Sequence, residues 1–325
     1  MLAVEPREKQ NTRTSLDFDP EFIRRRLNCQ WFALTHHLAD HPLFTLPRLI
    51  QLASTTARER PDCLHYDVGA SAVGQRWDET SASAWPVDET IRRIEDAGAW
   101  IVIRQAHLDP DYGELLRECI HELMQHADAE LARQIRTTEA ILFITSPNRL
   151  TTYHIDRECN FLFQISGDKT IYIFDREDRE ILPETEIERF WAVDNNAAIY
   201  KPQFQNRAES FLLRPGNGVH IPINSPHWLQ NGDNISISLN INLQFKDRVA
   251  GNLYRANYFL RRMRLNPTPP GRSRVGDAVK ARVATGIKNA IDATPNSVKD
   301  AVKQFFRRTE GDNRGDLPLL RGVEH

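Results

Sequence analysis

Cysteines are few in this sequence, and none stands close to another. The four residues are Cys29, Cys63, Cys119 and Cys159, so no C-x-x-C pair is present. Structural zinc sites usually draw on cysteines two to four residues apart, and disulfide-framed proteins are dense in cysteine. We therefore predict reduced thiols, and neither a disulfide framework nor a zinc site.

Long apolar runs and a strong net charge are also lacking. No stretch approaches the roughly 20 apolar residues of a membrane-spanning helix, and the first residues lack the apolar core of a secretory signal. The formal net charge of −2 gives no whole-chain argument for binding nucleic acid or an anionic membrane. No repeat with a solenoid period is visible. These absences lead us to expect a cytoplasmic protein.

The first part of the chain carries a helical pattern. Its 325 residues, 40% hydrophobic and 26% charged, fit one large globular domain or two smaller ones. Apolar residues recur at helical spacing in residues 20–41, 46–58, 87–97 and 112–132. Asp19 and Pro20 suit the N-cap and first position of the first helix.

Strand-length apolar runs dominate from residue 99 onward. They cover residues 99–104, 140–145, 160–165, 169–174, 210–213, 219–222 and 235–245. Gly167 and Asp168 form a turn dipeptide between two of these runs. This predicts a β-hairpin of residues 160–165 and 169–174. Many short strands separated by turns indicate a sandwich or a barrel.

The last run alternates strictly between apolar and polar residues. One face carries Ile235, Ile237, Leu239, Ile241, Leu243 and Phe245. The other face carries Ser236, Ser238, Asn240, Asn242 and Gln244. The polar face is either a solvated outer surface or the lining of a barrel lumen that houses a charged ligand.

Residues 151–156 read Thr-Thr-Tyr-His-Ile-Asp and place a histidine and a carboxylate two residues apart. In a strand, His154 and Asp156 share one face. They would supply two ligands of a 2-His-1-carboxylate site, which holds non-haem Fe(II) and leaves open positions opposite. Taken alone, such a triplet is more often a surface turn or a strand-end ion pair.

The third ligand should lie on a later strand, where the histidines are His220, His227 and His325. We select His227, because it follows a proline-rich turn and opens a strand. We expect His220 to pack or hydrogen-bond inside the protein, and we discard the terminal His325.

The segment from Thr138 to Phe174 resembles the JmjC/cupin-like Fe(II)- and 2-oxoglutarate-dependent oxygenases. Within them it is most similar to the hydroxylase branch around the factor-inhibiting-HIF asparaginyl hydroxylase. The matching residues are 141–145, Thr151, His154, Asp156, Asn160, Phe161, Gln164, Ile165, Gly167 and Lys169. Residues 214–228 resemble the distal-histidine block of the same family, and residues 236–240 resemble its closing strand.

The resemblance implies a mainly β fold, with a double-stranded β-helix core of the jelly-roll or cupin type and helical flanks. The core would span residues 99–250. An N-terminal helical or mixed region of residues 1–98 would precede it, and a C-terminal helical region of residues 251–325 would follow.

The resemblance also implies roles for individual residues. His154, Asp156 and His227 would bind Fe(II), and Lys169 and Thr151 would bind the distal carboxylate of 2-oxoglutarate. Asn160 and Asn240 match positions near the cosubstrate, although asparagines also simply cap loops. By its position alone, Lys169 would be a surface lysine beside a turn.

The implied activity is hydroxylation of a substrate C–H bond, coupled through O2 to oxidative decarboxylation of 2-oxoglutarate. The substrate would be a protein or peptide side chain or a small molecule, and no nucleic-acid signal is present. Rival interpretations are a cell-envelope sugar- or small-molecule-modifying cupin oxygenase and a non-catalytic regulatory cupin. Residues 175–207 form an insertion that either rims the active-site mouth or is a solvated charged loop.

The C-terminal region is basic. Residues 272–310 hold nine Lys and Arg against four acidic residues, with apolar residues at helical spacing. This pattern predicts two amphipathic helices. They would pack on the body or on a second copy in a homodimer, or contact a membrane surface or another partner.

Overall fold

The computed structural model describes residues 15–68, 72–127, 129–245 and 249–282. The chain forms two compact units, Met1–Arg248 and Val249–His325. The region that we predict as N-terminal belongs to the first unit together with the β core, because its strands extend one of the core sheets.

The helices of the described residues lie mostly in the first unit. They are α1 (Pro20–Arg26), α2 (Leu46–Glu59), α3 (Val87–Arg92), α4 (Pro110–Met124), α5 (Ala129–Gln134), α6 (Glu184–Ala192) and α7 (Val249–Arg262). The predicted helix over residues 46–58 is confirmed as α2, which begins with a proline in its first turn. The helix predicted over residues 112–132 is interrupted after α4 and continues as the separate α5.

The helix predicted over residues 20–41 is wrong beyond its first two turns. Asp19 caps it as expected, accepting a hydrogen bond from the Glu21 amide at 2.9 Å. The helix ends at Arg26, and Asn28 adopts a left-handed φ of 54° that turns the chain. Phe32–His36 instead form a strand, because they pair with residues 217–220 in a sheet. Their side chains are alternately buried and exposed.

The strands are β1 (Leu16–Asp17), β2 (Phe32–His36), β3 (Leu64–Val68), β4 (Ser81–Ala82), β5 (Ala99–Ile103), β6 (Ile135–Thr145), β7 (Leu150–His154), β8 (Cys159–Ser166), β9 (Lys169–Ile173), β10 (Glu209–Leu213), β11 (Asn217–Ile221), β12 (His227–Asn231) and β13 (Ser236–Phe245). One sheet has nine strands in the order β1-β2-β11-β8-β13-β6-β5-β3-β4, and the other has four in the order β10-β9-β12-β7.

The eight strands β6 to β13 form a double-stranded β-helix. Strands β6, β8, β11 and β13 lie in the larger sheet, and β7, β9, β10 and β12 form the smaller one. The chain therefore passes repeatedly from one sheet to the other, and all recorded pairings are antiparallel. Two such sheets enclose a lumen between their inner faces.

The strands of the predicted hairpin exist, but they do not pair with each other. Strand β8 pairs with β11 and β13, whereas β9 pairs with β10 and β12 of the other sheet. Gly167 has a φ of 70°, and an added Cβ would lie 2.2 Å from the Ile235 carbonyl oxygen. The glycine turn thus carries the chain between sheets, because both edges of β8 are already occupied.

Strand β13 separates the core from the lumen. Its apolar residues Ile237, Leu239, Ile241 and Leu243 are buried in one cluster with residues of α2, α3 and α4. Its polar residues Ser236, Ser238, Asn240 and Asn242 are also buried, each 8% exposed or less. The interpretation as a solvated face is therefore wrong for these four residues, and Asn240 and Asn242 line a cavity inside the barrel. That the lumen houses a charged ligand stays a prediction.

The second unit contains α7 and a helical segment over residues 274–282. Asn257 donates a hydrogen bond to the Thr268 carbonyl at 3.0 Å, and the Lys280 ammonium donates to the same oxygen at 2.6 Å. The second predicted amphipathic helix and most of the first lie outside the described residues. Among the helices of the described ranges, none is long and apolar enough to cross a membrane.

Candidate active site

Three predicted ligands converge where β7 pairs with β12 in the smaller sheet. His154 is the last residue of β7 and pairs directly with His227, the first residue of β12, with ring centroids 4.2 Å apart. Asp156 lies two residues beyond the end of β7 and not within the strand. One ligand atom from each of the three residues lies within 4.8 Å of the others, and His227 Nε2 is 3.7 Å from Asp156 Oδ2.

Both histidines are held by their Nδ1 atoms. His154 Nδ1 lies 2.6 Å from the Thr152 carbonyl oxygen, and His227 Nδ1 lies 2.9 Å from the Ser225 carbonyl oxygen. A carbonyl oxygen only accepts hydrogen bonds, so each Nδ1 carries a proton. The lone pair of each Nε2 can then bind a metal. Burial, reinforced by the neighbouring His154 and opposed by Asp156, lowers the pKa of His227 to about 4.

Asp156 is oriented by a second side chain. The Asn160 amide donates to Asp156 Oδ2 at 2.5 Å, and the Asn224 backbone amide donates to the Asp156 carbonyl at 3.0 Å. Two imidazoles with Nε2 directed at one point and an oriented carboxylate beside them fit the donor set of a non-haem Fe(II) site.

A cavity of about 550 Å³ opens beside these residues. Its lining includes all seven predicted site residues, which are His154, Asp156, His227, Lys169, Thr151, Asn160 and Asn240. Asn240 donates to Asn242 Oδ1 at 2.8 Å. Among the described residues, the side-chain oxygens of Asn160 and Asn240 are buried and accept no hydrogen bond.

Lys169 brings a buried positive charge to the same cavity. It is the first residue of β9, opposite Asn231 of β12, and only 5% of its surface is exposed. Within the described part of the chain, no acidic side chain forms an ion pair with it. Burial lowers the pKa of its ammonium to about 7. Its position is therefore not that of a surface lysine beside a turn.

His220 occupies a different environment. Its Nε2 accepts from the Asn28 amide at 3.0 Å, and its Nδ1 donates to the Asn160 carbonyl at 2.9 Å. Its ring packs against Phe32 and Phe161, with centroids 4.7 Å from each. Burial lowers its pKa to about 3. These contacts agree with the internal packing role expected for His220, whereas His325 lies outside the described residues.

The insertion of residues 175–207 was expected to be either a rim of the active site or a charged loop, and it has features of both. Phe190 and Asn195 line the cavity. Arg207 forms ion pairs with Asp178 and Glu180, at 2.9 and 2.7 Å. One side of the insertion therefore borders the site while another is a charged surface.

Four aromatic residues that the sequence did not single out also line the cavity, namely His65, Trp77, Trp100 and Phe143. Trp100 and Phe143 belong to predicted strands, but nothing in the local pattern indicates that the same cavity receives side chains from residues so far apart in the chain. The four cysteines are free thiols, as predicted.

One solved structure supports the fold, whereas the sequence comparisons found no match. No protein-family model matches the chain, and no curated protein matches it in sequence. An X-ray structure of ycfD from Escherichia coli is 14% identical, with a TM-score of 0.51 over 83% of this chain and 67% of that one. A structure described as the Escherichia coli ribosomal oxygenase YcfD is 14% identical, with a TM-score of 0.46 over 83% and 66%.

A third structure, of YcfD from Escherichia coli in complex with cobalt and 2-oxoglutarate, is 14% identical, with a TM-score of 0.42 over 82% of this chain and 65% of that one. This chain thus spans about two thirds of the length of these proteins. At such low identity, the likeness to the first structure concerns the fold. It agrees with the strand order, and the predicted mainly β fold with a double-stranded β-helix core is confirmed.

Proposed function

We propose that the protein is an Fe(II)- and 2-oxoglutarate-dependent oxygenase that hydroxylates a C–H bond of its substrate. One observation carries this proposal. Two histidines and a carboxylate face the same cavity as a buried lysine that has no acidic partner among the described residues.

The metal would be held by the Nε2 atoms of His154 and His227 and by the carboxylate of Asp156. Three protein ligands on one side leave positions open on the other, as a site that must also accept a cosubstrate requires. Bound Fe(II) would supply the redox chemistry that couples decarboxylation of 2-oxoglutarate by O2 to oxidation of the substrate. The protein would contribute orientation, and its Asn160 amide would keep the Asp156 carboxylate in place.

The cosubstrate would bind between the metal site and Lys169. A buried ammonium without a counter-ion is costly, and a carboxylate placed against it removes that cost. The distal carboxylate of 2-oxoglutarate is such a group, and Thr151, which lines the same cavity, carries a hydroxyl donor. The unsatisfied oxygens of Asn160 and Asn240 suit hydrogen-bond donors such as bound water.

The substrate would be a protein or peptide side chain or a small molecule, and a hydroxylase like the factor-inhibiting-HIF type remains our preferred branch. A cell-envelope cupin oxygenase would share the same metal site. A non-catalytic cupin would be expected to lose a ligand or the lysine, and this chain keeps both. Contact of the C-terminal helices with a second copy or a membrane surface stays a prediction.

Succinate formation tests the proposal. The purified protein with Fe(II), O2 and 2-oxoglutarate is expected to release succinate slowly even without substrate. The His154→Ala variant should release none above the protein-free background, because it loses a metal ligand. Equal succinate release by both proteins would contradict the proposed function.

A further inference from the structure

The four aromatic residues that line the cavity form a continuous wall. The ring of His65 meets the edges of Trp77 and Trp100, with centroids 6.0 and 5.6 Å away. Trp100 in turn stacks on Phe143 at 6.2 Å, with ring planes 18° apart. We call these four residues the aromatic wall.

Three residues of the aromatic wall lie on the face of the larger sheet that carries Asn160 and Asn240, and Trp77 lies in the turn between β3 and β4. In the strand register, Phe143 pairs with Ser238, and Ile141 on the same face pairs with Asn240. The next strands outward, β5 and β3, carry Trp100 and His65 on that face. On the cavity side of the larger sheet, the side chains therefore change from polar on the central strands to aromatic toward β3.

The rings of the aromatic wall remain partly exposed to the cavity, although they sit among buried residues. Removing apolar surface from water is favourable, so covering these rings with an apolar group stabilises the complex. Leu64 and Val102 continue the apolar lining beside them. The wall thus offers a surface suited to a flat group, because aromatic pairs prefer stacked or edge-to-face contact.

Charged groups around the cavity are mostly engaged by other protein groups. Arg104 lies 3.6 Å from Glu139, and Glu158 accepts from Gln244 at 3.1 Å. The Arg157 guanidinium lies over the Phe190 ring at 4.8 Å. Asp62 stands exposed among the lining residues.

Beside the aromatic wall, Asp67 Oδ2 lies 3.9 Å from His65 Nε2, but this buried carboxylate is already paired with Arg149 at 2.7 Å. The buried Lys169 ammonium lies on β9 of the other sheet, where the carboxylate of the cosubstrate would engage it. An uncharged substrate group is therefore favoured against the aromatic wall.

Trp77 is held by the residue before it. Arg76 donates two hydrogen bonds to the Asp194 carboxylate, at 2.9 and 3.2 Å, and the Trp77 amide donates to Asn196 Oδ1 at 3.2 Å. Burial would raise the pKa of Asp194, but Arg76, the Asn196 amide and Arg189 together lower it, so the carboxylate stays ionised. Paired hydrogen bonds from a guanidinium to a carboxylate fix direction as well as distance.

We infer that the aromatic wall binds a flat, uncharged ring of the substrate, and that Trp77 determines this specificity while Arg76 and Asp194 position it. The inference rests on the proposed function, in which the ring would be held beside the metal site in the shared cavity. Trp77 contacts the substrate, whereas Arg76 acts only through Trp77.

Ligand binding to the full-length, metal-free protein tests the inference without relying on turnover. Calorimetric titration compares indole as a flat neutral probe, benzamidine as a flat cation and cyclohexanol as a non-planar neutral ring. Indole is expected to bind most tightly. Trp77→Ala should weaken its binding about tenfold or more, and Trp77→Phe should restore most of the loss. Trp85→Ala is the matched control, because Trp85 is an exposed tryptophan that does not line the cavity.

Arg76 is tested in the same titration. Arg76→Gln should weaken indole binding several-fold, and Arg76→Lys should weaken it less. Each substitution should have the same effect on indole binding in the Trp85→Ala protein as in wild type. The inference is overturned if indole does not bind, if Trp77→Ala binds it as wild type does, or if benzamidine or cyclohexanol binds more tightly. Absence of 2-oxoglutarate turnover alone would overturn only the proposed function.

Discussion

His154 and His227 face each other across adjacent strands, and each is held by the carbonyl two residues before it in the chain. Because each Nδ1 is held in the same way, both Nε2 atoms face one point, and the two ring centroids lie 4.2 Å apart. The strand pairing between β7 and β12 therefore sets the geometry of the metal site before any metal binds.

The first prediction concerns the third ligand. His227→Ala should weaken Fe(II) binding by more than the roughly 10–100-fold that follows loss of an outer hydrogen-bond partner, since it removes a ligand itself. Anaerobic equilibrium dialysis with metal analysis measures this affinity. Metal binding equal to wild type would show that another residue completes the site.

His220→Leu is the matched control for that experiment, because His220 is equally buried but lines no part of the cavity. The substitution leaves the Asn28 amide and the Asn160 carbonyl without their side-chain partner. We expect lower stability, by about 1–3 kcal/mol per unsatisfied group, with Fe(II) affinity near that of wild type.

The second prediction concerns Lys169. Lys169→Met should weaken 2-oxoglutarate binding about 30-fold or more, because removing one member of a buried charge pair costs roughly 2–5 kcal/mol. Fe(II) affinity should change little. Calorimetry on the metal-loaded protein measures both, with Lys201→Met as a control lysine that is paired with Glu186 at 2.9 Å. Unchanged 2-oxoglutarate affinity in Lys169→Met would assign the carboxylate to another cation.

The third prediction follows from the lowered pKa of Lys169, about 7 against an ordinary 10.5. Between these two values the unfolded chain binds more protons at this position than the folded chain does. The Lys169 contribution to stability therefore rises with pH across this window, and its full penalty applies below about pH 7.

Lys169→Met removes that penalty. The metal-free variant should be more stable than wild type at about pH 7, and its advantage should shrink as the pH approaches the ordinary lysine value of 10.5. Urea unfolding at several pH values measures the difference. An advantage that does not vary with pH would show that Lys169 is not a buried, titrating group.

The fourth prediction concerns the ion pair of Asp67 and Arg149, whose nearest atoms lie 2.7 Å apart and whose side chains are 2% and 5% exposed. The pair joins β3 to the residue before β7, and so joins two walls of the cavity. Asp67→Asn leaves the Arg149 charge buried, which should cost about 3–5 kcal/mol in urea unfolding.

The exposed pair of Arg58 and Glu59 provides the comparison, and Glu59→Gln there should cost no more than about 1 kcal/mol. Equal costs at the two sites would contradict the structural role of the buried pair.

The sequence indicated most strands of the core but not how they pair. The runs ending at Ile165 and Phe174 contain strands, yet these belong to different sheets, because local alternation carries no information about distant partners. Phe32 and Leu34 fit both a helix and a strand, and only pairing with β11 decides between them. Tertiary pairing therefore overrides local spacing at these positions.

The candidate site was predictable where its residues lie close in the chain or share a motif. His154, Asp156 and Lys169 come from one segment of the sequence, and the resemblance points to them together. The aromatic wall was not predictable, because His65, Trp77 and Trp100 come from two strands and a turn that only the tertiary fold brings together.

The fifth prediction concerns the C-terminal region. Every proposed ligand precedes Phe245, so deleting residues 283–325 should leave Fe(II) and 2-oxoglutarate affinities within about two-fold of wild type, a difference under about 0.5 kcal/mol. A cut after residue 282 preserves the contact of Lys280 with Thr268. Loss of 2-oxoglutarate binding by a folded truncated chain of unchanged oligomeric mass would place the deleted segment in the active site.

The central claim is that His154, Asp156 and His227 bind Fe(II) and that Lys169 binds 2-oxoglutarate beside it. Anaerobic titration of the Fe(II)-loaded protein with 2-oxoglutarate, followed by the visible charge-transfer absorption of the complex, tests both parts together. Wild type should give a saturable band, His227→Ala should give none, and Lys169→Met should require much more 2-oxoglutarate. A wild-type protein that binds Fe(II) stoichiometrically but gives no band, or a Lys169→Met midpoint equal to that of wild type, would contradict this account.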